Sequence, residues 1–391
     1  MKMTYKFSII LFLHFFFFVC GNAQTKKQIV ITGKIKFLNP EAFSKYNMVW
    51  LKKWAGNNPK SIDSIAVSND GIFRFNLVVS KPGLYQLDIL KWQTVAFWAD
   101  HDVTISCRGY DTARYKTKNS GLIEMESNSS GTQLISLAMH SLYLDAQNKA
   151  DILSEGFAAQ KYRNKDSTWY SYFRKENLYR KIEDQGQERL KMMINSSLKN
   201  PASVYLLTLI NWKKDSEFVV NELNKLLAVN PNFEEATTLK KEVVAYVAQK
   251  NRLQKGVAAP EIAYLNPDGN ITALTSFKGK YVIVDFWASW CGPCRKAIPK
   301  LKDLYTQYKD KGFEILSISV DSDDAAWRRA MSEENMPWSQ VVSPNKDKTL
   351  KDFMIQGIPT LFLLDREGKI IEIFTGYSPR LEELLKERMA I

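Results

Sequence analysis

The chain has 391 residues, 45% of them hydrophobic and 12% aromatic. That length implies two or three domains, and that composition excludes a mostly disordered chain. The formal net charge is +12. Residues 24–255 carry 34 basic against 23 acidic residues, whereas residues 256–391 carry 18 against 19. The surplus is spread along helical stretches rather than gathered in a run, so a solvated basic surface is expected and a nucleic-acid partner is not.

Residues 1–23 read as an export signal. Lys2 and Lys6 precede an apolar run at 9–19, and Gly21-Asn22-Ala23 supplies the small residues of a cleavage site. The run is too short for a comfortable membrane span. A periplasmic location is expected, with lipid anchoring through Cys20 as the alternative, although Val19 stands where a lipoprotein signal has a small residue. Cleavage after Ala23 leaves Cys107, Cys291 and Cys294, an odd number. Cys107 lies in an alternating stretch at 102–107 and is expected to be a buried, unpaired thiol.

Residues 24–120 are expected to form a β-rich domain. Stretches 28–37, 72–77 and 85–89 alternate, and Asn39-Pro40, Asn69-Asp70-Gly71 and Lys81-Pro82-Gly83 separate them. Short, closely spaced strands predict an antiparallel sandwich or barrel. Residues 121–254 are expected to be a helical spacer. Val219, Leu223, Leu226 and Leu227 share one helical face, Asn230-Pro231 breaks it, and helical spacing resumes at 233–248.

From residue 255 the pattern alternates strand and helix, as in an α/β domain. Asn266-Pro267-Asp268-Gly269-Asn270 has the composition of a hairpin turn. Strands are expected at 281–286, 313–320, 360–364 and 370–374, and helices at about 292–308, at 324–334 and at the end of the chain.

Within this domain lies FWASWCGPC, residues 286–294. Cys291 follows a buried-type strand, and Pro293 fits the first turn of a helix, where its missing N–H costs nothing. Free N–H groups and partial positive charge at that end favour a thiolate on Cys291. Cys294, three residues on, lies on the same face and within reach of a disulfide. Cys291 is therefore the expected nucleophile and Cys294 the resolving thiol. Asp285, in the preceding strand, should be buried with a raised pKa and is the expected proton acceptor. Gly357-Ile358-Pro359-Thr360 places a proline before an apolar strand. A cis Ile358–Pro359 bond would bring the Ile358 backbone beside the cysteines, where a substrate could hydrogen-bond to it. Trp290, Gly292, Pro293, Ile358 and Pro359 are the expected substrate contacts. A zinc site is not expected: beyond the signal there are only His101 and His140, neither in a Cys/His cluster.

These residues resemble the TlpA-like family of exported, thioredoxin-fold thiol–disulfide oxidoreductases. The resemblance rests on Ala259-Pro260, Gly279-Lys280, the run from Val284 to Cys294, Pro299, Gly357 to Thr360 and Asp365 to Gly368. The segment 323–342, with Trp327 and Trp338, is similar to the family's insertion. The resemblance implies a thioredoxin-like fold for 255–391. It also implies no cofactor beyond a redox-active Cys291–Cys294 disulfide. The implied partners are disulfide-containing exported proteins and a membrane thiol carrier as electron donor. Two positions depart from relatives of this kind. Ser317 stands where thioredoxin has a lysine facing the buried Asp, and Ala297 stands where the branch that reduces apocytochrome c has a Glu. The Gly-Pro between the cysteines goes with a low potential, near about −270 mV, and so with reduction. The alternatives are a thiol peroxidase on the same fold, and an envelope-binding module with an accessory dithiol.

Overall fold

The computed structural model describes residues 26–36, 44, 46–56, 58–109, 121–162 and 177–389. The expected export signal and Cys20 lie outside them. The chain forms two compact units, 1–240 and 241–391.

The first unit opens with β1 (Lys27–Lys36), β2 (Met48–Lys53), β3 (Lys60–Ala66), β4 (Ile72–Val79), β5 (Leu84–Ile89), β6 (Gln93–Trp98), β7 (Val103–Arg108) and β8 (Glu124–Glu126). They build two four-stranded sheets, ordered β4-β1-β7-β8 and β3-β2-β5-β6. Of the expected alternatives this is the sandwich. Its pairing departs from the expected antiparallel pattern at one place, since β1 and β7 run parallel. Strict alternation in β4 turns Phe73, Phe75, Leu77 and Val79 inward. They meet Ile29 and Ile31 of β1, Leu87 of β5, Phe97 of β6 and Cys107 of β7 in one core. Gly33 pairs across from Phe73, and a Cβ there would lie 1.9 Å from the ring. The Phe73 ring thus occupies the space that a side chain at 33 would need.

Helices α1 (Ser130–Tyr162), α2 (Leu178–Ser196), α3 (Ser203–Leu209), α4 (Trp212–Val229) and α5 (Glu234–Asn251) follow. The stretch expected to be a spacer is docked on the sheets. The Thr132 hydroxyl, in the first turn of α1, accepts from Trp98 N–H at 3.1 Å and donates to Trp98 O at 3.0 Å. The Glu235 carboxylate accepts the Leu84 N–H at 3.3 Å. On α4, Val219, Leu223 and Leu226 are buried as their spacing predicts, and Leu227 is half-buried. The boundary between the two units falls inside α5, upstream of the expected 254/255 junction.

The second unit holds β9 (Ala263–Leu265), β10 (Ile271–Ala273), β11 (Tyr281–Trp287), α6 (Gly292–Tyr308), β12 (Phe313–Ser319), α7 (Asp324–Glu334), β13 (Ser339–Val342), α8 (Lys346–Asp352), β14 (Thr360–Leu364), β15 (Ile370–Thr375) and α9 (Pro379–Met389). They make one seven-stranded sheet, β10-β9-β13-β12-β11-β14-β15. β9 and β10 form the hairpin, with Gly269 at φ 82° in its turn. β11 is a central strand, parallel to β12 and antiparallel to β14. Its alternation serves two cores. Val282, Val284 and Phe286 face one, while Ile283 faces the other, which holds Ile298, Leu301 and Leu304 of α6 and Leu381, Leu384 and Leu385 of α9. Asp285 has the parity of Ile283, so it lies on the sheet face that α6 covers.

Candidate active site

β11 ends at Trp287, and a short turn, closed by Cys291 N–H to Ala288 O at 3.0 Å, leads into α6. Cys291 is the N-cap of α6, and Pro293 sits in its first turn. The Cys294 N–H donates to Cys291 Sγ at 3.2 Å. A sulfur thus fills the place usually taken by a Ser or Asp oxygen at a helix start. Cys291 and Cys294 are joined in a disulfide, with Cα atoms 5.3 Å apart. Both are buried against Trp287, Ala288, Val320, Trp327 and Ala330. By contrast Gly292 and Pro293 are exposed, and Trp290 is 64% exposed, with Lys346 Nζ 5.4 Å from its ring centroid. The approach to the disulfide is therefore an aromatic face and the first turn of a helix.

The Ile358–Pro359 peptide bond is cis. The Ile358 carbonyl oxygen lies 3.7 Å from Cys291 Sγ, and the Ile358 side chain packs on the cysteine cluster. Among the expected contacts, Trp290, Gly292 and Pro293 flank the cysteines in sequence and Ile358 packs against them, while Pro359 is buried.

Asp285 is 3% exposed. Burial pushes its carboxyl up to about 7, against the opposing pull of a hydrogen bond from Ser317. Ser317 is its partner in the β11–β12 register, and the hydroxyl donates to Asp285 Oδ2 at 2.8 Å. Ser317 in turn accepts the indole N–H of Trp338 at 2.8 Å. An indole N–H can only donate, so the serine oxygen is the acceptor and its own proton is directed to Asp285. The position where a lysine was the point of reference is therefore filled by a neutral donor. Sequence reading placed Trp338 in an insertion but missed this contact.

A second carboxylate also went unread. Asp321, 7% exposed and just past β12, accepts Ser289 N–H at 2.8 Å, Ser289 O–H at 2.7 Å and Ser319 O–H at 2.7 Å. The available signal was an Asp directly after an apolar strand, which is common and not specific. Among the described residues no group of three or more His, Cys, Asp or Glu side chains is placed to hold a metal ion.

This arrangement, a buried cysteine pair at a helix N-terminus rimmed by the exposed Trp290, Gly292 and Pro293, with a buried acid in the preceding strand, is equipped for thiol–disulfide exchange. Residues 254–387 match the family model described as Redoxin. The thiol–disulfide oxidoreductase ResA of Bacillus cereus is 31% identical over 144 residues, which cover 36% of this chain and 83% of that protein. The chain belongs to the thioredoxin-like thiol–disulfide oxidoreductases. ResA of Bacillus subtilis is 30% identical over 34% of this chain and 73% of its own. Among solved structures, the thioredoxin domain of a thiol–disulfide oxidoreductase from Bacteroides vulgatus is 37% identical. It covers 35% of this chain and 99% of its own, with a TM-score of 0.33. A thiol–disulfide oxidoreductase from Bacteroides fragilis is 34% identical over 34% of this chain and 98% of its own, with a TM-score of 0.32. All these matches concern the C-terminal part of the oxidoreductase. Among its described residues no helix is long and apolar enough to cross a membrane.

Proposed function

We propose that the oxidoreductase reduces disulfides in exported proteins, working in the periplasm and drawing its electrons from a membrane thiol carrier. In the reduced enzyme, Cys291 is the attacking thiolate. It displaces one sulfur of the substrate disulfide, which leaves as a thiolate, and forms a mixed disulfide with the other. Cys294 then gives its proton to Asp285 and attacks Cys291 Sγ, releasing the second substrate sulfur. Two electrons have moved to the substrate, and the Cys291–Cys294 disulfide is left behind. The carrier's dithiol reverses the last steps. No cofactor is needed.

The observation that carries this reading is the sulfur of Cys291 seated on the Cys294 N–H at the start of α6. A hydrogen bond to a charged sulfur is stronger than one to a neutral sulfur, so this seat favours the thiolate. The Gly-Pro spacer supports reduction as the direction, and residues 1–23 support export. An insulin-reduction assay and the midpoint potential against glutathione test the proposal together. Turnover with a potential near about −270 mV is expected; a potential near about −120 mV, that of a strong oxidant, would overturn the direction.

A further inference from the structure

The attacking cysteine is held from two sides, and the cysteine motif explains only one. On the helix side Cys291 Sγ sits on the Cys294 N–H. On the other side the turn from Ala288 to Cys291 is tied through Ser289 to a carboxylate 32 residues away in sequence. Asp321 takes both donors of Ser289, backbone N–H and hydroxyl, on its two oxygens. Its own place is fixed in turn. Ser319 O–H donates to Oδ2, the Asp321 N–H donates back to Ser319 Oγ at 2.9 Å, and Val320 N–H donates to Trp287 O at 2.9 Å. The end of β12 is thereby locked to the end of β11 and to the turn that delivers Cys291.

We propose that Asp321 is a positioning residue for the reaction at Cys291. It pins Ser289 so that the turn holds Cys291 Sγ on the Cys294 N–H. This rests on the reading of Cys291 as the attacking thiol. With the pin loosened, the turn samples other conformations and the sulfur spends less time on its donor. The thiolate suffers more than the disulfide, because the hydrogen bond to charged sulfur is the stronger one. Cys291 then reacts more slowly, and the couple shifts toward its oxidised form.

Full-length D321N and S289A test this, read by the iodoacetamide alkylation rate of Cys291 at neutral pH and by the equilibrium of the couple with glutathione. In D321N one carbonyl oxygen and an NH2 group face donors that now have two acceptor oxygens. Alkylation is expected to slow about 2- to 10-fold, with a like shift of the glutathione equilibrium toward the disulfide, as the loss of one aligned hydrogen bond entails. S289A should move both in the same direction by less, and the D321N/S289A double variant should go no further than D321N alone. Unchanged rate and equilibrium in folded D321N overturn the inference, as does an additive double variant. If D321N does not fold, S289A decides, and an unchanged S289A overturns it. Should Cys291 of the parent react no faster than an ordinary thiol, the nucleophile assignment falls and the inference with it. A fast parent thiol indifferent to D321N refutes the inference alone.

Discussion

Ser317 stands across the β11–β12 ladder from Asp285 and donates its hydroxyl proton to the carboxylate at 2.8 Å, held in that role by the indole of Trp338. The hydrogen bond favours the charged carboxylate and works against burial, which favours the neutral acid. S317A removes the donor, so the Asp285 pKa should rise further above about 7. W338F leaves the serine free to turn away and should act in the same direction, more weakly. The pH profile of mixed-disulfide resolution checks both: its alkaline-going midpoint should move up, most in S317A. An unmoved profile in both variants would mean that another group accepts the Cys294 proton.

The same burial makes stability depend on pH. The folded Asp285 carboxyl titrates near about 7, against 3.8 for an ordinary aspartate. Its pKa is raised on folding, so the folded state binds the proton more tightly than the unfolded chain. The stabilising contribution of the neutral acid is complete below about pH 4 and is lost as pH climbs toward about 7. D285N carries no such charge. Relative to the parent it should gain stability across that window, by up to roughly 4 kcal/mol at its top. Denaturant melts at pH 4, 5.5 and 7.5 would reveal a constant difference if Asp285 were not titrating there.

The two cysteines should fail in different ways. C291S is expected to lose insulin reduction altogether, because a hydroxyl at that position is no nucleophile at neutral pH. C294S retains the attacking thiolate and lacks the resolving one, so it should accumulate mixed disulfides with its substrates. Mass spectrometry of non-reduced C294S gives the readout. Adducts on C291S in place of C294S would reverse the assignment.

Trp290 offers its ring to solvent at 64% exposure beside the disulfide. W290A should raise KM for a protein disulfide several-fold, since stacking and apolar contact at an aromatic anchor contribute about 1 kcal/mol or more. The melting temperature should hardly change, as expected for an exposed position. A KM equal to that of the parent would remove Trp290 from the docking face.

In the sandwich, G33A forces a methyl group into the ring of Phe73. Overpacking of this kind costs typically about 1–3 kcal/mol. A denaturant midpoint lowered accordingly is expected; an unchanged one would mean that the β1–β4 ladder yields freely.

The catalytic unit was the more legible part of this chain, for a physical reason. β11 and β14 are buried on both faces and so read as apolar runs, and α6 starts where Pro293 and the cysteines require it. The strands β2 and β3 escaped notice. β3 exposes six of its seven residues, so no alternation marks it, and β2 carries Lys52 and Lys53 on a strand with a buried Leu51. The parallel pairing of β1 with β7 joins residues some 70 positions apart, and no local pattern encodes such a partner. The side-chain contacts of Trp338 and Asp321 escaped for the same reason. Each carries a polar group whose meaning depends on what the fold sets opposite it.

Cys107 lies in the sandwich core, 2% exposed, its thiol pushed up to about 12 by burial. Such a thiol neither attacks a disulfide nor meets a reagent while the sheets are closed. Among the described residues, gentle reduction therefore frees the Cys291–Cys294 pair, and the Cys107 sulfhydryl becomes countable only as the β unit opens. Cys107 is thus a built-in gauge of that opening, readable with a thiol dye, in the unit that does not carry the Cys291–Cys294 pair.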